Sequence, residues 1–496
     1  MGGLFYRPEG AWAADFIPFF CQSRFRLFYL LDWRDRAGHG EGTPWYQVST
    51  GDFVHFTEHG EMLPRGAVDA QDLYVFTGSV IESEGLYHIF YTGHNPHLRA
   101  RGGREQGVMH ATSRDLLHWQ KVPEDTFYAP TDIYEPHDWR DPFVFWNEEV
   151  GEYWMLLAAR LHTGPSRRRG CTALCTSRDL RHWQPREPFW APGLYYTHEC
   201  PDLFRIGDWW YLVFSEFSQG CLTRYRMSRS LTGPWAAPAD DTFDGRAYYA
   251  AKTASDGRRR YLFGWNPTRE GDTDEGKWQW GGNLVVHELC QQRDGTLAVR
   301  VPDSVDRAFG TPLAPVVRSV LGECRVEGRA AELRATSAFP RQADVVPSRL
   351  ARQALRPGFA CATAGPLPEC CKVTASVTFA EHTRACGLML RVSDDLDRGY
   401  YVRLEPTRNR LVLDYWPRAG DLPYMVGLER PLALRTGWPL ELQVFVDGTV
   451  CEIYVGGTIA MSARLYNLRT GDWGVFVEEG VARFENLRVA IPDGCA

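Results

Sequence analysis

Three carboxylates in strand-like settings carry the chemistry open to this sequence. Asp141 stands in Asp138-Trp139-Arg140-Asp141-Pro142, just ahead of the apolar run Phe143-Val144-Phe145-Trp146. Asp15 stands in Trp12-Ala13-Ala14-Asp15-Phe16-Ile17-Pro18-Phe19, and Glu199 in Thr197-His198-Glu199-Cys200-Pro201-Asp202-Leu203-Phe204. An Arg-Asp-Pro tripeptide alone is weak evidence, since it also arises as a structural pair at a turn; three such carboxylates in one chain say more. Two carboxylates flanking a glycosidic bond can act as nucleophile and general acid, because like charge and desolvation lift one pKa toward working pH. Glu199, between His198 and Cys200, is suited to keep the acid's proton in a closed pocket. Asp141, beside Arg140, is suited to stay ionised and to accept hydrogen bonds from sugar hydroxyls, which strengthen as the ring flattens toward an oxocarbenium ion.

Such residues need a scaffold that gathers distant positions. Aromatic and β-branched residues favour a pleated, half-buried surface, and Pro142 can open a strand but not sit in its centre. Short strand-like runs recur at Phe25–Leu30, Leu86–Tyr91, Tyr153–Leu157, Trp210–Phe214 and Tyr261–Trp265, each after a polar or glycine turn. Long helical periodicity is almost absent. Ser113-Arg114-Asp115-Leu116-Leu117-His118-Trp119 returns as Ser177-Arg178-Asp179-Leu180-Arg181-His182-Trp183, with weaker echoes at Ser49–Phe56 and Ser228–Trp235. Units of roughly 50 to 65 residues with several short strands each predict propeller blades, and five fit before residue 305. The innermost strands would bring Asp15, Asp141 and Glu199 to comparable places at one channel, with Val75-Phe76-Thr77-Gly78-Ser79 from the second unit.

Composition narrows the classes. At 496 residues, with 44% hydrophobic and 24% charged residues, the chain reads as a soluble protein of two domains. The 13% aromatic content, with 18 Trp and 22 Tyr, suits both β packing and sugar stacking. A net charge of -7 argues against nucleic acid, and the runs Arg167–Arg169 and Arg258–Arg260 lie in glycine-containing connections. Thirteen scattered cysteines without paired C-x-x-C spacing read as reduced thiols rather than a disulfide framework or zinc site. The N-terminus shows neither a signal peptide nor a myristoylation motif, and no apolar run approaches the ~20 residues of a membrane span. A cytoplasmic location is expected.

The ordered blocks resemble glycoside hydrolase family 32, the β-fructofuranosidases that include invertases, inulinases and levanases. The Asp15 region stands where that family keeps its nucleophile block, and Phe76-Thr77-Gly78-Ser79 looks like its second. Arg140-Asp141-Pro142 looks like the third, Glu199-Cys200 like the acid/base block, and Gly264-Trp265 with Trp280–Leu289 like the end of the fifth blade. The resemblance implies an all-β fold, a five-bladed β-propeller followed by a C-terminal β-sandwich. It implies retaining hydrolysis of a terminal fructofuranosyl unit, with Asp15 as nucleophile, Asp141 as transition-state stabiliser and Glu199 as acid/base, and no metal or organic cofactor. Arg140, Trp12, Asp32, Phe76, Ser79 and Trp265 are the expected substrate-binding residues; Tyr248 and Trp280 are further candidates for the wall, and Glu9, Arg34 and Asp35 for new polar contacts. His198 is expected to be a neighbour of Glu199 and not a second acid.

One block departs from the family. Where Asn, Asp, Pro, Asn and Gly usually follow one another, Asp15 is flanked by Ala14 and Phe16; without the flanking amides the site is expected to select different hydroxyl patterns, so the resemblance does not single out sucrose as the substrate. An inverting, arabinofuranosidase-like enzyme and a non-catalytic sugar-binding protein stand as alternatives. Carboxyl separation divides the first two, at about 5 to 5.5 Å for retention and about 6.5 to 9.5 Å for inversion.

The expected domains are residues 1–305 for the propeller, 306–366 for a proline-rich linker with a short helix at Ser348–Leu355, and 367–496 for the sandwich. The last has strand patterns such as Leu388–Val392 and Leu440–Asp447, and an Asp447-Gly448 hairpin signal. The expected partner is a small carbohydrate, with neither nucleic acid nor membrane; any homo-oligomer is expected to form through the β-sandwich.

Overall fold

Alternating buried and half-exposed residues, broken by glycine or Asx turns, give strands of which most pair with a sequence neighbour. The computed structural model describes residues 4–335, 358–418 and 428–494, and over these the chain is all-β, its described helices no longer than five residues. None is long and apolar enough to cross a membrane. The chain divides into two compact units, one of residues 1–268 and 279–304, the other of residues 269–278 and 305–496.

The first unit is a succession of antiparallel meanders. Tyr74–Ser83, Leu86–His94, Gln106–Ser113 and Gln120–Lys121 form one four-stranded sheet; Tyr134–Asn147, Glu152–Leu161, Gly170–Ser177 and Gln184–Pro185 form another. Glu199–Ile206, Trp209–Glu216 and Leu222–Ser228 form a three-stranded sheet. An eight-stranded sheet joins the first meander, which starts at Trp12–Cys21, to the last, which starts at Tyr249–Ser255, through Ala13 opposite Gly282. Consecutive meanders pack face to face. Phe28, Trp45, Val75 and Tyr91 fill the space between the first and second, Phe90, Trp139, Val144 and Met155 that between the second and third, and Leu156, Leu203 and Leu212 that between the third and fourth.

A β-bulge interrupts the first strand of every meander, at Asp15–Phe16, Thr77, Asp141–Pro142, Cys200–Pro201 and Ala250–Ala251. Four of these bulges open with a left-handed residue, Asp15 (φ 49°), Asp141 (φ 60°), Cys200 (φ 49°) and Ala250 (φ 51°). Bulges re-aim a side chain, and left-handed backbone at non-glycine residues clusters at functional sites. Here the strain is spent on turning two aspartates and their neighbours inward.

The Ser-x-Asp repeat has a different purpose. Asp115 accepts from the backbone N–H of Leu117 and His118 and from the His118 ring, and Asp179 does the same with Arg181 and His182. Asp52 repeats the pattern with Val54 and His55. These carboxylates shape tight turns, with Phe53, Leu116 and Leu180 left-handed inside them.

The second unit is a β-sandwich of an eight-stranded and a seven-stranded sheet. Residues 306–366, expected as a linker, supply five of its strands: Thr311–Leu313, Arg318–Leu321, Glu323–Glu327, Ala330–Ala335 and Phe359–Pro366. Pro312 inside the three-residue strand and Pro366 at a strand's end helped to hide them, because proline is tolerated at such places without breaking a ladder. The helix expected at Ser348–Leu355 lies outside the described residues. Leu440–Asp447 and Val450–Val455 pair across Gly448, whose φ of 57° is the left-handed conformation that an Asp-Gly turn uses.

Candidate active site

The bulges place the side chains by register. Asp15 and Asp141 are the first bulged residues of their strands; Arg140, Glu199 and Tyr249 each sit one residue earlier, opposite Ala158, Ser215 and Trp265. Glu199 is therefore the counterpart of Arg140 and Tyr249, not of Asp15 and Asp141 as the linear alignment of blocks suggested. All five line one cavity of about 660 Å³, together with Asp32, Trp33, Phe76 and Trp280.

Asp15 accepts a hydrogen bond on Oδ1 from Trp265 Nε1 at 3.1 Å. Burial, with the nearby charges of Asp141 and Glu199, pushes its carboxyl up to about 8 against the opposing pull of the Trp265 N–H and Lys252. Asp141 is 4% exposed and accepts on Oδ2 from the Cys200 N–H at 2.9 Å. Burial raises its pKa and Arg140, 3.9 Å away through Nε, opposes the rise. Glu199 accepts on both oxygens, from Arg140 Nη2 at 3.1 Å and from the Tyr249 hydroxyl at 2.6 Å. Arg140 is itself oriented by Asp138, which accepts from Nη1 at 2.6 Å.

The remaining candidates divide. Arg140, Asp32 and Phe76 line the cavity, and Trp265 reaches it through its bond to Asp15. The guanidinium groups of Arg7 (4.3 Å) and Arg34 (4.5 Å) both lie over the Trp12 ring, which is not part of the lining. Ser79 is buried, its hydroxyl accepting from the Val144 N–H at 3.0 Å, so it ties two sheets together. Tyr248 turns into the core and donates to the Leu262 carbonyl, while its neighbour Tyr249 faces the cavity. Glu9 is exposed and does not line the cavity. Arg34 and Asp35 form part of the rim, where Arg34 donates to Gln279 and to the Trp280 carbonyl. His198 is buried against Thr172 and Trp190, and burial lowers its ring pKa to about 3. The ring is uncharged near neutral pH and so is not a second acid.

Sequence reasoning missed Tyr249, Trp33, His39 and Tyr74. Trp33 stacks on His39 at 4.6 Å and Tyr74 donates to Glu41 at 2.8 Å, both at the rim. Only the bulge register distinguishes Tyr249 from Tyr248, and no motif carries it. The departures around Asp15 gain a physical account: Ala14 and Phe16 are fully buried, Phe16 packing on Tyr29 at 5.5 Å. Ala14 occupies in its strand the place that Arg140, Glu199 and Tyr249 hold in theirs, so the first meander adds no polar group there.

The N-terminal domain model of glycosyl hydrolases family 32 matches residues 6–298, and the C-terminal model of the same family matches residues 349–491. The chain belongs to glycoside hydrolase family 32. Among curated members, raffinose invertase of Escherichia coli is 29% identical over 296 residues, 55% of this chain and 59% of that protein. Sucrose-6-phosphate hydrolase of Escherichia coli is 27% identical over 297 residues, 56% of this chain and 59% of that protein. The match therefore spans under two thirds of these relatives' length. Among solved family 32 folds, exo-inulinase from Aspergillus awamori superposes with a TM-score of 0.69 at 17% identity, covering 99% of this chain and 97% of that one. Sucrose-6-phosphate hydrolase from Lactobacillus gasseri gives 0.68 at 17% identity, covering 99% and 93%.

Proposed function

We propose that this family 32 protein is a retaining, exo-acting β-fructofuranosidase, its five meanders being the blades of a five-bladed propeller around the cavity. The observation that carries the reading is the convergence of Asp15, Asp141 and Glu199 from three separate meanders on one cavity. Asp15 attacks the anomeric carbon and forms a glycosyl-enzyme; Glu199 protonates the leaving oxygen and then takes a proton from the attacking water. Asp141, oriented by the Cys200 N–H, accepts hydrogen bonds from ring hydroxyls as positive charge develops. Asp32, with one oxygen accepting from the Arg34 N–H, and the aromatic rings of Trp33 and Trp280 support recognition of the sugar and its leaving group. The scattered thirteen cysteines support action in the cytoplasm.

The test is fructose release by wild type and Asp15→Ala from sucrose, sucrose 6-phosphate, inulin- and levan-type oligomers and difructose anhydrides, beside an aryl arabinofuranoside. Initial product stereochemistry by proton NMR accompanies it. Fructose released first as the β-anomer, and lost by ~10,000-fold in the variant, supports the reading. An inverted product points to a water-mediated single displacement, cleavage of the arabinofuranoside alone overturns the substrate, and no cleavage at all favours a binding protein.

A further inference from the structure

One residue ahead of its bulge, each meander presents a side chain at the same register. These are Ala14, Phe76, Arg140, Glu199 and Tyr249, paired with Leu30, Thr92, Ala158, Ser215 and Trp265. From the third meander onward the positions are polar and line the cavity, with Asp141 beside them. Apart from Asp15 itself, the first two meanders offer hydrocarbon there: Leu30 and Phe76 line the cavity, and Ala14 faces Leu30 across the ladder. This wall is fixed. Leu30 belongs to the core of Phe28, Trp45, Val75 and Tyr91, and Phe76 is backed by the His94 ring at 4.4 Å. Thr43 shares this side of the lining, but its Oγ1 is enclosed in the wall. The polar residues of these two meanders, Asp32 and Tyr74, lie two residues away along the same strands, beside the rim.

We propose that the furanosyl unit this site prefers carries a methyl group in place of one hydroxymethyl, so that a deoxy-fructofuranosyl unit is a better substrate than a fructofuranosyl one. This rests on the retaining-fructosidase reading above and names the unit on which that chemistry acts. Consecutive meanders pack face to face. A sugar with its anomeric carbon at Asp15 of the first and its ring hydroxyls on Asp141 of the third therefore lies across the second. Its remaining edge turns to Ala14, Leu30 and Phe76. The groups left for that edge are the hydroxymethyls at C1 and C6. A hydroxyl pressed against this wall gives up its bonds to water and finds no partner in return. The loss against methyl is about tenfold to a hundredfold, as for a hydrophobic pocket that meets an extra hydroxyl. Ala14 and Leu30 are thereby specificity-determining residues.

The experiment compares kcat/KM on β-D-fructofuranosyl fluoride with that on its 1-deoxy and 6-deoxy analogues, for wild type, Leu30→Gln and Ala14→Asn. Fluoride is too small to fill the rim and leaves without help from an acid, so the ratios report the furanosyl pocket alone. Wild type is expected to favour one deoxy analogue over the parent by about tenfold, and which of the two identifies the hydroxymethyl that meets the wall. A parent as good as both analogues, or better, overturns the inference and leaves the fructosidase reading intact. Leu30→Gln puts an amide on the wall and is expected to pull that ratio back toward one, chiefly through a lower KM for the parent. Ala14→Asn asks the same from the facing strand, should Leu30→Gln fail to fold. Ratios unmoved in the folded variants overturn the assignment of the preference to Ala14 and Leu30. If wild type cleaves none of the three fluorides, the fructosidase reading fails and this inference fails with it.

Discussion

Aspartates repeat through the first unit in two sets, at the turns and at the bulges, and the two sets live under opposite electrostatics. Asp115 and Asp179 are about half exposed, each meeting two backbone N–H donors and a histidine ring, and these donors hold both carboxyls well below the usual range. Asp15 and Asp141 each have one principal donor, lie among other carboxylates and are pushed upward. Residue type and periodicity are shared; the number of hydrogen bonds left unmade differs. A carboxylate satisfied by its own turn is structural, and one kept short of donors is available to a substrate.

The comparison breaks most visibly at Asp15. Asp15→Asn is expected to lower kcat/KM on the cleaved fructoside by ~10,000-fold or more, since an amide cannot form the glycosyl-enzyme. The same change is expected to stabilise the protein. The folded pKa of Asp15 lies above its unfolded value, so the folded state binds the proton more tightly and wild type loses stability as pH rises from about 4 to about 8. Asn carries no such charge. The gain in unfolding free energy should be near zero at pH 4 and reach about 2 kcal/mol or more at pH 8, read from denaturant midpoints at the two pH values. A variant no more stable at pH 8 than at pH 4, relative to wild type, would remove the claim that Asp15 is ionised at a cost.

Asp179→Ala tests the other set. Removing the acceptor from two backbone N–H groups and the His182 ring is expected to cost about 1 kcal/mol, by analogy with loss of a helix N-cap, with kcat/KM unchanged. Here the sign reverses: the carboxyl is held below its usual range, so its contribution is present above about pH 4 and fades as acid neutralises it. Thermal melts of wild type and variant should therefore draw steadily closer as the pH falls below about 4. A loss of activity matching that of Asp15→Asn would erase the distinction between turn and bulge.

Much of this was legible in the sequence, and what was not has an identifiable cause. Strand runs, the order of the blocks and the three carboxylates are local patterns, carried by apolar alternation and by short motifs. Bulge register is not local. One extra residue per inner strand decides that Tyr249 faces the cavity and Tyr248 the core, and that Glu199 aligns with Arg140 rather than Asp141. Trp12 and Ser79 were misplaced for a related reason. Their neighbours in sequence line the site, but their own side chains meet Arg7 and Arg34 in one case and Val144 in the other. The strands between Thr311 and Ala335 were missed because their alternation is short, three to six residues cut by Gly322 and Gly328, and they find partners only in the sandwich sheets.

Ser79 gives the smallest and sharpest test of side-chain direction. It belongs to a sequence block that resembles a substrate-binding motif, and its strand also carries Phe76, which does line the cavity. Between them the bulge at Thr77 shifts the pairing, so Ser79 meets the adjoining meander and accepts from Val144. Ser79→Ala leaves a buried N–H without its acceptor and is expected to cost about 1 kcal/mol of stability, with KM and kcat within about twofold of wild type. Phe76→Ala, three residues away, is expected to raise KM several-fold, because it opens the cavity wall where Phe76 stacks on His94 at 4.4 Å. If the two variants exchanged these effects, the serine would be a sugar ligand after all, and the bulge would not be what selects which residues of this strand face the site.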